Sequence, residues 1–289
     1  MRNIRQIYQA TGQHWVGDGF LVQPLFSHMA DDRGTDPFLM LDYAAPKTFA
    51  PNSGRPHGVG QHPHKGFETV TIAYHGEVAH RDSTGGGGVI AEGDVQWMTA
   101  GAGIIHEEFH SESFSRSGGL FEMVQLWVNL PKKDKNTPAR YQHLAKAAIP
   151  VQDLPAGAGH VRLIAGEYNG VHGAAETFTE MNVWDVVLNV GAEVVFTLPE
   201  SHQLSMVVLR GEAMFNGKER VGAGQLVSFE HGGGDVRIAG GAEEVKILLL
   251  SGVPIAEPVV GYGPFVMNST DEIRTAINDF NNGRFGVID

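Results

Sequence analysis

Gln61–His110 is the stretch on which the fold turns. It opens with Q-H-P-H-K-G-F-E-T-V-T (61–71) and closes with T-A-G-A-G-I-I-H-E-E-F-H (99–110). Two segments set metal-type ligands two residues apart, His62 with His64 and His106 with Glu108. Alternate side chains of a strand share a face. Two such strands lining one interior would bring three imidazoles and a carboxylate to one point. That donor set suits one divalent transition metal: Fe, Mn, Co, Ni, Cu or Zn. Pro63 is compatible with a strand start or edge, where its missing amide leaves no ladder bond unmade.

The flanking sequence is β-rich. F-L-V-Q-P-L-F and P-F-L-M-L-D-Y are strands around the turn cluster D-D-R-G-T-D-P (31–37). Phe67 to Tyr74 alternates with β-branched residues, and Leu120 to Leu130 is another strong strand. Gly85 to Gly88 is read as a hairpin tip, because it lacks the Lys-Ser/Thr and the helix that a phosphate loop needs. The 38 glycines and the scarcity of helical periodicity point to an all-β protein. With no cysteine, thiolate metal sites, disulfides and cysteine nucleophiles are excluded, leaving 14 His and the carboxylates as ligands. A net charge of −12 argues against binding a phosphate backbone directly. The first residues lack the apolar core of a signal peptide, and no apolar run is long enough to span a bilayer. The chain is therefore expected to be cytoplasmic, to bind neither membrane nor nucleic acid directly, and to be a monomer.

At Pro131 the sequence turns polar and basic (P-K-K-D-K-N-T-P-A-R-Y-Q-H-L) and reads as a crossing between two halves. The expected division is 1–131, a crossing at 132–150, and 151–289. The halves resemble each other. V-T-I-A-Y-H-G-E-V-A-H is echoed by M-V-V-L-R-G-E-A-M-F, and each is followed by a glycine turn and a strand. Aligning Gly76 with Gly211 sets Thr197 and Pro199 at the positions of His62 and His64. Aligning Gly93 with Gly224 sets Arg237 and Ala239 at those of His106 and Glu108. One metal site, in the first half, is expected. Ser269 to Glu272 is a capping box ahead of Ile273, Ala276, Ile277 and Phe280 at helical spacing, which predicts a short helix over 270–282.

A duplicated small barrel with H-x-H on one strand and a third His after a Gly-Asp turn looks like a bicupin. H-P-H-K-G-F-E-T-V-T, D-V-Q-W-M-T-A-G-A-G-I-I-H-E-E, Q-L-W-V-N-L-P-K-K-D-K and G-P-F-V-M-N resemble the pirin family of that superfamily, from Pro37 to the terminal helix. The resemblance implies an all-β fold of two cupin-type antiparallel β-barrels with a short C-terminal helix. It also implies that the ordinary cupin carboxylate, here Glu68, is not a ligand, and that Glu108 replaces it beside His62, His64 and His106. Glu107 departs from the family's usual spelling, but alternation sends it to the other face. Iron is the metal that the resemblance implies.

The implied activity is quercetin 2,3-dioxygenase-like. Dioxygen is inserted into a flavonol, the central ring opens and carbon monoxide leaves. Glu108 is then also the candidate base for the flavonol 3-hydroxyl, a role that requires it to shift off the metal. The competing reading is an iron-dependent regulator that binds a transcription factor or metabolic enzyme. Trp97, Met98, Phe67, Phe109 and Trp127 are candidates to line an aromatic pocket, with core packing as the plainer fate. His110 continues the ligand face, either supporting a ligand or ending exposed. His57, His75 and His80 are read as ordinary.

Overall fold

Phe67–His75 sits near the middle of a seven-stranded antiparallel sheet in the computed structural model, which describes residues 1–29 and 34–288. The sheet runs in the order Arg140–Leu144, Val95–Thr99, Phe67–His75, Gly119–Asn129, Phe38–Phe49, Phe20–Ser27, His14–Val16. A four-stranded sheet accompanies it, in the order Gly58–His64, Ile104–His110, Val78–Asp82, Gly87–Ile90. Apolar side chains from both sheets meet in one core, with Val78 and Ile90 from the smaller packing among Phe20, Val22, Phe121 and Met123 from the larger. Asp31–Arg33, the start of the turn cluster read from sequence, lie outside the described residues.

The second unit repeats this plan. A seven-stranded sheet runs Ile4–Gln9, Gln225–Phe229, Gln203–Arg210, Val245–Gly252, Met181–Leu188, Gly159–Ala165, Val151–Asp153. Its four-stranded companion runs Glu193–Thr197, Asp235–Gly240, Glu212–Phe215, Glu219–Gly222. The fold is all-β, two cupin domains, and the described residues include two short α-helices, Glu112–Ser117 and Thr270–Asn281. Among the described residues no helix is long and apolar enough to cross a membrane.

The chain ends are apportioned differently from the division expected at 131 and 151. Met1–Thr11, Asp32–Pro37 and Ala147–Pro254 form one unit, while Gly12–Asp31, Phe38–Lys146 and Ile255–Asp289 form the other. The reason is strand pairing at sheet edges. Ile4–Gln9 pairs with Gln225–Phe229 of the second barrel. The expected crossing supplies Arg140–Leu144 as an edge strand beside Val95–Thr99 of the first. The terminal helix buries Ile273 and Ala276 with Phe265, Met267 and Phe285, against Ile105 of the first barrel. Its N-cap is a variant of the expected box: Glu272 N–H donates to Ser269 Oγ, while Glu272 Oε2 accepts from Asn268 N–H.

The basic run at 132–135 is not simply a solvated linker. Lys135 is 1% exposed, and its Nζ donates to Gly66 O (2.8 Å), Asn129 Oδ1 (2.8 Å) and Val266 O (3.0 Å). This ammonium ties the turn after His64 to the strand Phe265–Met267. Gly66 has φ +89°, and a Cβ there would overlap the Val266 carbonyl, so the turn requires glycine.

Candidate metal centre

The strands Gly58–His64 and Ile104–His110 pair antiparallel, with His62 directly opposite His106. Pairing shifts register between His106 and Glu108, because Glu108 faces Val59. The bulge places one extra residue in the Gly58–His64 strand and lets Val59 and His62 line the same cavity. His62, His64 and His106 come together there: one ring nitrogen of each lies within 4.8 Å of the others. Their ring centroids are 4.2–4.9 Å apart.

The chemistry of these rings fits a cation. His62 Nδ1 lies 2.8 Å from the Gly60 carbonyl, so donation there leaves Nε2 as its lone pair. Nδ1 of His64 and both ring nitrogens of His106 are buried with no hydrogen-bond partner among the described residues. Buried polar atoms are rarely left so. Burial lowers the pKa of all three, holding His64 and His106 well below the usual imidazole value. They are thus neutral at pH 7, the form that ligates. Trp127 packs its ring on His64 (5.4 Å) and Phe67 (4.2 Å), fixing the imidazole from the side.

Glu108 lines the same cavity but stands outside the three-imidazole cluster. Its Oε1 accepts from Thr71 Oγ (3.2 Å), which also reaches Gln125 Oε1 (3.1 Å). Burial raises its pKa to about 7, offset in part by the Thr71 bond. Glu68 is on the opposite face of its strand. It is fully buried, accepts from Thr99 Oγ (2.7 Å), and does not line the cavity. Glu107 pairs with Arg81, its cross-strand neighbour, away from the imidazoles.

The cavity measures about 220 Å³ and is walled mainly by Val16, Phe20, Val22, Met40, Met123 and Trp127. Of the aromatic candidates only Trp127 lines it; Trp97, Met98 and Phe67 are fully buried core. His110 is neither exposed nor set against a ligand. Its ring packs among Phe20, Phe49, Phe114 and Phe121, and its Nε2 lies 3.0 Å from the Gly19 carbonyl.

His80, read as ordinary from the sequence, is buried beside the cluster. It lies directly across the ladder from Glu108, stacks on Tyr141 at 4.4 Å, and keeps both nitrogens buried without partners among the described residues. Burial lowers its pKa to about 4. Its spacing from Asp82 and Val78 on an alternating strand was the available signal.

Among the described residues the second barrel has no comparable cluster, though for different residues than the sequence alignment named. Thr197 and Arg237 are exposed, with Thr197 bonded to Asp235 and Arg237 beside Glu193. The inward positions are Val194, Phe196, Val236 and Ile238, all in the apolar core. A one-residue slip of register exchanges the faces of a strand, and that slip separates the alignment from the structure. Apolar side chains fill the place that the imidazoles take in the first barrel.

The Pirin family model matches residues 19–128, and the model of the Pirin C-terminal cupin domain matches 183–286. A Pseudomonas aeruginosa protein named "Putative quercetin 2,3-dioxygenase" is 52% identical over 286 residues, covering 99% of each chain. The Arabidopsis thaliana Pirin-like protein 2 is 34% identical, covering 99% of this chain and 91% of its own. A crystal structure of quercetin 2,3-dioxygenase from Acinetobacter baumannii superposes with a TM-score of 0.96 at 51% identity, covering 100% of both chains. With both domain models matched and relatives aligned along nearly its whole length, this chain belongs to the pirin family.

Proposed function

We propose that the protein is a metal-dependent, quercetin 2,3-dioxygenase-like oxygenase that cleaves flavonols. The observation that carries this reading is the meeting of three neutral, partner-poor imidazoles beside a buried acid and an apolar cavity. The relatives named for this activity, at 52% and 51% identity, support it. His62, His64 and His106 would hold one divalent metal, with Glu108 as the fourth ligand. Iron is the metal we propose, ahead of Mn, Co, Ni, Cu or Zn. When bound, the metal would acidify a chelating 3-hydroxyl and couple the flavonol electronically to dioxygen.

The chain's own groups supply the rest. The walls of Val, Phe and Met exclude water and favour a flat aromatic ring. At about 220 Å³ the cavity is small beside those that enclose drug-sized ligands, so one end of the flavonol enters and the other stays in the mouth. Glu108 would accept the 3-hydroxyl proton at a carboxylate oxygen on shifting off the metal, where burial holds its pKa up, at about 7. Thr71, donating to Oε1, orients that carboxylate. The test is aerobic turnover by protein loaded with defined metals. Quercetin and dioxygen should disappear together with release of carbon monoxide. No carbon monoxide above a His106→Ala control would refute the oxygenase reading and favour a regulatory role through a protein partner.

A further inference from the structure

A second cavity, about 760 Å³, lies in the barrel without the imidazole cluster. Its walls include Tyr168, Trp184, Glu180, Asn182, Thr197 and His202. Tyr168 packs edge-on to Trp184 (5.4 Å), and both pack on Phe196 of the core. This volume is within the range of cavities that take small organic molecules.

A directed chain of hydrogen bonds runs beneath the cavity and ends at its wall. Glu167 N–H donates to Asn182 Oδ1 (3.2 Å), which fixes the amide with its nitrogen on the other side. Asn182 Nδ2 donates to Ser251 Oγ (3.0 Å). The Ser251 hydroxyl proton is then free for His202 Nδ1 (3.2 Å). With Nδ1 accepting, His202 carries its proton on Nε2 and donates it to Glu180 Oε1 (3.1 Å). Asn182, His202 and Ser251 are all buried, at 6%, 1% and 0% exposure, while the Glu180 side chain is 70% exposed. Burial lowers the His202 pKa, consistent with a neutral ring in this relay. The Arg2 guanidinium holds the segment from behind by donating to the Pro199 and His202 carbonyls.

Asn182, Ser251 and His202, all buried, therefore orient one carboxylate at the cavity wall. Its second oxygen has no protein partner among the described residues. The ionisable groups that line the cavity are Glu167, Glu180, His172 and His202, with neither Lys nor Arg among them. His172 lies 3.9 Å from Glu167 at the exposed rim, so Glu180 is the carboxylate left for a ligand. An anionic ligand would meet no fixed positive group here. A ligand with an ammonium would meet an oriented carboxylate and an aromatic wall, both of which favour a cation.

We propose that this cavity binds a small organic cation with an apolar body, its ammonium held by Glu180 and its body against Tyr168 and Trp184. The proposal is independent of the metal centre and of the oxygenase reading. The probe is tyramine, titrated calorimetrically into the full-length protein, with p-cresol and 3-(4-hydroxyphenyl)propionate as neutral and anionic counterparts. Tyramine should bind saturably at one site. Glu180→Gln keeps an oxygen for His202 but removes the charge, and should weaken binding about ten-fold or more, the worth of a charge-assisted hydrogen bond. Tyr168→Leu should weaken it independently. His64→Ala should leave it unchanged, which separates this cavity from the metal centre. Equal binding of either counterpart, indifference to Glu180→Gln, loss in His64→Ala, or no saturable heat at millimolar tyramine would each overturn the proposal.

Discussion

Lys135→Met tests how the first barrel is held around its ligands. Lys135 Nζ donates to Gly66 O, Asn129 Oδ1 and Val266 O, and the residue is 1% exposed. A hydrogen bond from a charged donor contributes about 1.5–3 kcal/mol. Against these three bonds stands the burial of an ammonium, which lowers the Lys135 pKa from 10.5 to about 8. That difference corresponds to about 3 kcal/mol. Methionine fills a similar volume and leaves three buried acceptors unpaired, so the net loss is about 2–5 kcal/mol. The assay is urea unfolding of chelated protein, read by fluorescence and circular dichroism. The loss should fall on the transition of the unit that contains Phe38–Lys146. Because the folded pKa is below the unfolded one, unfolding takes up a proton between pH 8 and 10.5. Wild-type stability should therefore climb as pH rises through that window, and the methionine variant should lack that climb. A loss under about 0.5 kcal/mol, or parallel pH profiles for the two proteins, would refute the reasoning.

Gly66→Ala sets a Cβ against the Val266 carbonyl at a positive φ and should cost at least about 2 kcal/mol, measured by the same unfolding assay. His64→Ala should abolish bound metal, expected at about one per chain from the cluster of imidazoles found among the described residues, as measured by mass spectrometry of metal content; retained metal would contradict the site. Excess metal should raise the melting temperature of the wild type and leave that of His64→Ala unmoved. Arg81→Ala breaks a partly exposed pair with Glu107 on the face away from the ligands. It should change stability by less than about 1 kcal/mol and leave metal content intact.

How much was legible in the sequence follows from the range of each interaction. The strands that bring three imidazoles together were readable because alternation is local. His62 with His64, and His106 clear of Glu107, need only a period of two. The terminal helix was readable from its cap and its apolar face for the same reason. What failed was non-local. The pairing of Ile4 with Phe229 joins residues with no short-range cue, so the ends were assigned to the wrong barrels. The correspondence of Thr197 and Arg237 with metal ligands rested on glycine landmarks, and one residue of slip turned core positions into exposed ones. Lys135, His80 and His110 are polar residues buried by tertiary packing, against the usual exposure of their type.

The exchange of chain ends bears on the order in which the protein can be built. During synthesis the strand Ile4–Gln9 leaves the ribosome long before Gln225–Phe229 exists to pair with it. All three imidazoles are translated by residue 106, yet the strand Phe265–Met267 that closes on Lys65 and Gly66 comes long after them. Each barrel is thus completed by pairings between segments far apart in sequence, and long-range closures of this kind are slow. A chain ending before residue 255 carries His62, His64, His106 and Glu108 without the strand and helix that pack beside Ile105 and Gly66. The three clustered imidazoles therefore gain their bracing strand and helix only after residues 265–281 have been added.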